Sequence, residues 1–189
     1  MSKERVIIGL DASSSEIGIC IWSLDNSKIL QLTHKTLGEK ESVVLKGDKF
    51  KQLMTDLHQE YDIVQVGIEE AFVAMYGMSS SAHTTALLNQ VNAIYQYIIH
   101  SMGIKVSVIT PHMARKLSFP NVKLMSKSKC GMSEKEQIFV HVCQEIGETY
   151  FPTKVMTRGK NKGEVRFEDW CTDMSDAYVI CKAIRKNYE

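Results

Sequence analysis

At 189 residues, with 44% hydrophobic and 24% charged side chains and a formal net charge of +1, the chain is long enough for one domain with a sizeable core. Its overall charge singles out no class of partner, and no stretch reaches the roughly 18 apolar residues of a membrane span, which excludes a helical membrane protein. The five cysteines are scattered, odd in number and form no C-x-x-C pair, which excludes a zinc ribbon and points to a reduced, soluble, intracellular protein. Met1-Ser2-Lys3-Glu4-Arg5 leads directly into a strand pattern and does not read as a signal peptide.

Val6-Ile7-Ile8-Gly9-Leu10-Asp11 is a short, continuously apolar run ending on a carboxylate. Such a run predicts a strand covered on both faces, in the middle of a sheet. A charge at its end costs several kcal/mol unless it is paired or holds a metal, so Asp11 requires compensation. Ile17–Leu24 predicts a second strand, Asp25–Lys28 a turn, and Ile29–His34 a third strand, giving an antiparallel meander. Gly47-Asp48 precedes a helical pattern with Phe50, Leu53, Met54 and Leu57 on one face. Ile63–Glu70 is a further strand ending in carboxylates, and the helix before it implies a parallel crossover beside the first strand.

Phe72–Ser81 reads as a loop in which Ser80 or Ser81 caps a helix with Leu87, Val91, Ile94 and Ile98 inward. Gly103 closes that helix, Ile104–Ile109 gives a fifth strand, and Pro111 suits the first turn of a short helix carrying Arg115 and Lys116. The segment 119–131 reads as irregular. Ser133-Glu134-Lys135-Glu136 is a capping box opening a helix with Ile138, Val142 and Ile146 inward. Residues 147–172 form a long basic excursion, either a β-hairpin or a flap, and a last helix follows through Asp173, Asp176, Ile180, Ala183 and Ile184. The expected whole is a single α/β domain over 1–189, a mixed five-stranded sheet flanked by helices.

Two local stretches are basic: Arg115, Lys116, Lys123, Lys127 and Lys129 without an acid, then Lys154, Arg158, Lys160, Lys162 and Arg166 against Glu164. They read either as solvated loops or as a footprint for a polyanion. Four acids carry more chemistry. Asp11 and Glu69 end buried strands, and Asp173 and Asp176 share the first turn of the last helix. Clefts in open α/β sheets form beyond the carboxyl ends of the strands, where these four would meet. Taken singly, Asp173 reads as an N-cap, Asp176 as a first-turn acid and Glu69 as a solvated strand end. Taken together they form a cluster for which the sequence offers no obvious buried Arg or Lys, and like charges so placed cannot all ionise cheaply. Divalent metal resolves this. Oxygen donors select Mg²⁺, with Mn²⁺ able to substitute, and two such ions suit phosphodiester hydrolysis.

The order of four blocks, the strand ending on Asp11, Ile68-Glu69-Glu70-Ala71-Phe72, Gly131-Met132-Ser133-Glu134-Lys135-Glu136-Gln137-Ile138, and Asp173-Met174-Ser175-Asp176-Ala177, resembles the RuvC family of Holliday-junction resolvases within the RNase H-like superfamily. The resemblance spans nearly the whole chain. It implies an RNase H-like fold and a Mg²⁺-dependent endonuclease, with Asp11, Glu69, Asp173 and Asp176 as catalytic, metal-binding acids. The same resemblance makes Phe72 a base-stacking aromatic, while the residues alone leave it equally a hydrophobic plug. By the same matching Lys135 and Arg115 are phosphate contacts, with Lys116 beside them. Arg115 stands where the family usually has a lysine, Glu70 is an outer acid, and Gln90 belongs to a dimer or junction surface. The implied substrate is a four-way DNA junction, cut by paired symmetric nicks by a homodimer, with no nucleotide cofactor and no membrane. A broader flap or fork nuclease and a junction-binding protein that does not cut are the alternatives. Longer segments at 115–131 and 147–172 mark a divergent member, of phage or viral type, working in the cytoplasm of a bacterial or phage-infected cell. Glu16 remains an outer acid without a place.

Overall fold

The structure, a computed structural model, describes residues 2–38, 40–71 and 82–188. In chain order these form β1 (Arg5–Ala12), β2 (Glu16–Ser23), β3 (Lys28–Thr36), α1 (Val43–Glu60), β4 (Asp62–Glu69), α2 (Ala82–Ser101), β5 (Lys105–Ile109), α3 (Pro111–Ser118), α4 (Lys127–Cys130), α5 (Glu134–Ile146), a 3-10 turn (Glu148–Tyr150), β6 (Thr153–Val155), β7 (Val165–Phe167) and α6 (Cys171–Arg185). Five strands make a mixed sheet in the order β3-β2-β1-β4-β5. β1, β2 and β3 are the antiparallel meander, and β1, β4 and β5 run parallel.

The apolar run of β1 is continuous because both faces of the sheet are covered. Val6, Ile8 and Leu10 enter a core with Phe50 and Met54 of α1 and Val91, Tyr95 and Ile99 of α2. Ile7 points the other way, into a core with Ala177, Ile180 and Cys181 of α6 and Ile138 and Val142 of α5. All four strand residues are fully buried, each contributing roughly 1.5–3 kcal/mol relative to exposure. Side chains alternate along a strand, so Asp11 shares the α6 face with Ile7 and Gly9.

Helix α6 lies close against this face because glycines leave room for its backbone. A Cβ on Gly9 would stand 2.2 Å from the Ala177 carbonyl oxygen, and one on Gly18 would stand 2.1 Å from that of Asp173. Neither distance is physically tolerable, so these two glycines set how near the acids of α6 come to the end of β1.

Three expectations are corrected. Helix α1 begins at Val43, where the Ser42 hydroxyl accepts from the Leu45 N–H, rather than after Gly47-Asp48. Gly47 is inside the helix, where a Cβ would lie 2.9 Å from Ile94 Cγ2 of α2; what reads as a boundary is a helix–helix contact. The 119–131 segment, expected to be irregular, contains the short helix α4, closed by Gly131 at φ 76°. Helix α6 starts at Cys171 with Trp170 at its N-cap, so Asp173 lies within the first turn rather than at a cap, and Asp176, expected to share that turn, lies in the one after it.

The capping box of α5 forms as expected. The Ser133 hydroxyl accepts from the Glu136 N–H at 3.3 Å, and the Glu136 carboxylate accepts from the Ser133 N–H at 2.6 Å. The basic excursion contains an antiparallel hairpin, β6–β7, pairing Thr153 with Phe167 and Val155 with Val165. Its root is fixed on α5 by edge-to-face contacts of Phe139 with Phe151 and Phe167, at 4.9 and 5.0 Å between ring centroids. Phe72 and the proposed capping serines Ser80 and Ser81 lie outside the described residues.

Candidate active site

Asp11 near the end of β1 and Glu69 at the end of β4 are brought together by parallel pairing, which sets Leu10 beside Ile68. Asp176 enters from α6, one turn above Ile180, whose methyl covers Gly67 of β4. One carboxylate oxygen from each of Asp11, Glu69 and Asp176 lies within 4.8 Å of the others. Asp11 is 9% and Asp176 4% exposed, far below what isolated carboxylates tolerate. An all-oxygen donor set at this spacing fits a hard divalent cation. Asp173, three residues before Asp176, stands at the edge of this trio and lines the cleft above it.

The expectation that the acids have no basic partner is corrected. Lys135, in the first turn of α5, directs its Nζ to 3.0 Å from Asp176 Oδ2 and 3.7 Å from both Asp11 Oδ2 and Asp173 Oδ1. Arg115 of α3 stands with one guanidinium nitrogen 3.8 Å from Asp176 Oδ1 and another 3.2 Å from Glu134 Oε2. Its Nε finds no acceptor among the described residues. Both cations come from elements remote in sequence from the acids, so no local spacing announces them.

Even so, the acids remain electrostatically crowded. Burial, and then the charge of Glu69, push the Asp11 carboxyl well above the usual range, with Lys135 opposing. Burial, then Asp176, raise Glu69 to about 7 against the pull of Lys135 and Arg115. Asp173 is raised, chiefly by burial. For Lys135, burial works to lower the ammonium pKa, but the charges of Asp11 and Asp176 outweigh it and the net shift is upward. Carboxylates held above their normal range beside one another are poised to take a divalent cation in exchange for protons.

A cleft of about 190 Å³ opens onto the cluster, lined by Asp11, Ser13, Glu69, Glu70, Lys135 and Asp173 among others. Asn92 of α2, unremarked in the sequence, is also at its wall. Its side-chain amide donates to the Glu69 carbonyl oxygen at 2.8 Å, fixing the strand end that carries the acid. The only cue in the sequence is a polar residue on an otherwise apolar helix face. Glu16 finds its place here too: its carboxylate stands 3.5 Å from His34 Nε2, His34 stacks on Trp170 at 4.6 Å, and the Glu16 charge reaches Asp173. Lys116 is not at this cleft. It lines a second cavity on the other side of the α5 N-terminus, together with Arg115 and Glu134. Gln90 is an exposed residue of α2.

An acid cluster at the carboxyl ends of adjacent parallel strands, closed by a helix across a meander-led mixed sheet, defines the chain as an α/β protein of RNase H-like fold. Its fold is the one found in the resolvase structures that follow. The fold matches Thermus thermophilus RuvC solved in complex with a Holliday-junction substrate at a TM-score of 0.63 and 11% identity, covering 97% of this chain and 96% of that one. It matches the yeast mitochondrial Holliday-junction resolvase Ydc2 at 0.60 and 14%, covering 97% and 78%. The fowlpox virus Holliday-junction resolvase matches at 0.52 and 8%, covering 97% and 99%. No family model and no curated protein sequence matches the chain.

Proposed function

We propose that this chain is a divalent-metal-dependent endonuclease that resolves four-way DNA junctions by paired symmetric nicks, the whole chain serving as one nuclease domain. The observation that carries the reading is the Asp11–Glu69–Asp176 oxygen cluster, within 4.8 Å, in a fold shared over nearly its full length with proteins described as Holliday-junction resolvases. Asp11, Glu69 and Asp176 would hold Mg²⁺ or Mn²⁺, with Asp173 a further ligand at the cleft edge. Two ions, when bound, supply activation of the attacking water and charge relief at the leaving oxygen.

The chain's own groups do the rest. Lys135 and Arg115 offer cationic charge on either side of the α5 N-terminus, where a scissile phosphate would lie and its developing charge would be stabilised. Binding the phosphate would draw Lys135 away from Asp11 and Asp176, freeing their oxygens as the substrate arrives. Asn92 keeps the Glu69 strand end in place. Phe72 is proposed as an aromatic that stacks on bases at the junction centre, and Lys116 as a further phosphate contact. Two symmetric cuts on a two-fold substrate call for a homodimer.

The test is digestion of end-labelled four-way junctions, forks, flaps and linear duplex by the purified protein, with and without Mg²⁺, mapped at nucleotide resolution. Symmetric nicks in the junction alone support the reading. Equal cutting of forks and flaps replaces it with a broader debranching nuclease, and tight junction binding without cutting under any divalent ion replaces it with a junction-binding protein. Light scattering of the protein–junction complex tests for two protomers.

A further inference from the structure

Helix α6 carries two of the four acids, and the two are held differently. Around and beyond Asp176 the helix is sealed in the core, with Ala177, Tyr178, Ile180 and Cys181 each no more than 2% exposed. In the first turn, Cys171 and Met174 are buried, but Asp173 lines the cleft, and this side of the turn has another anchor. The N-cap residue is Trp170, whose side chain makes no capping hydrogen bond, where Ser, Thr, Asp or Asn would ordinarily hold the first N–H groups. Its carbonyl accepts from the Asp173 N–H at 3.1 Å and from the Met174 N–H at 3.3 Å. Its ring lies flat on His34 of β3, with centroids 4.6 Å and planes 16° apart. His34 is the cross-strand partner of Gly18, so the two share one rung and one face of the sheet. Gly18 is also where the Asp173 backbone comes to rest, since a Cβ there would stand 2.1 Å from the Asp173 carbonyl oxygen. One rung therefore grips the start of α6 twice, through Trp170 and through Asp173. The His34 side chain is 8% exposed, its Nε2 has no hydrogen-bond partner among the described residues, and its contact with α6 is the face of the ring.

We propose that His34 and Trp170 are positioning residues for Asp173: their stack sets the angle at which the first turn of α6 enters, and with it the place of the Asp173 carboxylate relative to Asp11, Glu69 and Asp176. The proposal rests on the endonuclease reading, in which Asp173 is a ligand at the cleft edge. Asp173 lies outside the 4.8 Å trio, so a small rotation of the first turn carries its oxygens out of reach of an ion held by the other three. The trio itself stays in place, because Asp176 is fixed by the buried part of the helix. Groups that orient a metal ligand without touching the ion are worth about 10–100-fold in affinity or activity, and a displacement near 1 Å at a reacting group is costly in rate. A pair of flat rings suits this task, since an aromatic contact has a preferred geometry as well as an area.

The test is a double-mutant cycle on the full chain, at a temperature where thermal melts show every variant folded. Calorimetry with Mn²⁺ on the DNA-free protein reads metal affinity, and single-turnover cleavage of a four-way junction reads rate. His34→Ala is expected to weaken Mn²⁺ binding by about three-fold and to slow cleavage by about ten-fold, with junction affinity unchanged. His34→Phe, which keeps a ring on Trp170 without the imidazole nitrogens, is expected to restore both to within about two-fold of wild type. In Asp173→Asn protein the same His34→Ala change is expected to cost neither affinity nor rate, because its effect passes through that carboxylate. Trp170→Leu breaks the stack from the helix side and replaces His34→Ala in the cycle if that variant does not fold. Losses that persist at full size in the Asp173→Asn background, or that His34→Phe leaves unrepaired, assign the stack to general stability and overturn the proposal. Wild-type affinity and rate in the variants that break the stack overturn it as well, and leave the endonuclease reading intact. Wild-type protein that binds no Mn²⁺ and cuts no branched DNA overturns the endonuclease reading itself.

Discussion

The Lys135 ammonium stands 3.0 Å from Asp176 Oδ2 and 3.7 Å from Asp11 Oδ2, so a side chain holds the charge position that a divalent cation needs. A divalent cation bound at these acids would compete with the lysine for the same oxygens. Lys135→Met removes the competitor, and metal affinity of the DNA-free protein is expected to rise by about three- to ten-fold, given the strength of a partly screened charge pair. Cleavage is expected to fall by about 10²-fold, since a cation aimed at the phosphate is lost. Calorimetry with Mn²⁺ and single-turnover cleavage measure the two effects. Weaker metal binding in the variant would mean that Lys135 supports the site rather than competing for it.

The raised carboxyls set a pH dependence whose sign can be worked out. Glu69 rises from an ordinary value near 4.5 to about 7, and Asp11 is raised as well. The folded, metal-free protein thus holds more protons than the unfolded chain between about pH 4.5 and 7. Its stability must fall as pH rises through that window, by up to about 3 kcal/mol from Glu69 alone. If the acids hold Mg²⁺ as proposed, the ion would take over the neutralising role, and its stabilising effect is expected to be small at pH 5.5 and large at pH 8. Thermal melts at both values, with EDTA and with Mg²⁺, give the comparison. Metal-free protein that melts higher at pH 8 than at 5.5 would contradict this electrostatic picture.

Asp11→Asn removes the most crowded buried charge while keeping its shape. Without metal the variant is expected to melt several degrees higher than wild type, because relief of desolvation and repulsion outweighs the lost pairing with Lys135. Cleavage is expected to drop by about 10³-fold or more. Asp176→Asn should lose metal affinity comparably, whereas Asp173→Asn, outside the 4.8 Å trio, should lose cleavage with a smaller loss of metal affinity. Equal metal binding by all three variants and wild type would remove the cluster as the metal site.

The meander, the parallel strand beside β1 and the two acids at the strand ends were legible because a doubly covered strand writes itself as an unbroken apolar run, as in Val6–Leu10, whereas the place of the fifth strand beside β4 was not. The α5 capping box was legible for a similar reason: all of its partners lie within four residues. What could not be read were contacts between remote elements. Lys135 and Asp11 are joined only by tertiary packing, and Asn92 reaches Glu69 from another helix. Gly47 looks like a boundary in sequence and is a crossing point in space. The 147–172 excursion was undecided between hairpin and flap because its strands are three residues each, too short for alternation to show.

That hairpin supplies a prediction about binding. Lys154 is paired with Asp169 at 2.7 Å and Arg166 with Glu164 at 2.8 Å, but the exposed tip residues Arg158, Lys160 and Lys162 have no acidic partner among the described residues. If they contact phosphates of a junction arm, replacing all three with alanine should lower the slope of log affinity against log salt by about 2–3 and leave the cut positions unchanged. Fluorescence anisotropy across a salt series reads the slope. An unchanged slope would assign the tip to solvent.

The close approach of α6 to the sheet predicts a separation of stability from activity. Gly18→Ala puts a methyl 2.1 Å from the Asp173 carbonyl oxygen, while Gly103→Ala, at φ 76° with nothing within 4 Å, strains only its own backbone. Both substitutions are expected to destabilise the fold by about 1–3 kcal/mol, the first by overpacking and the second by forcing a left-handed conformation on alanine. The methyl at 18 can be accommodated only by lifting the start of α6, which carries Asp173 and Asp176 away from Asp11. A displacement near 1 Å at a catalytic group is worth about 10² in rate. Gly18→Ala should therefore lose about 10²-fold in cleavage at a temperature where both variants remain folded, and Gly103→Ala almost none. Equal activity of the two would show that the spacing between α6 and β1 is not what aligns the acids.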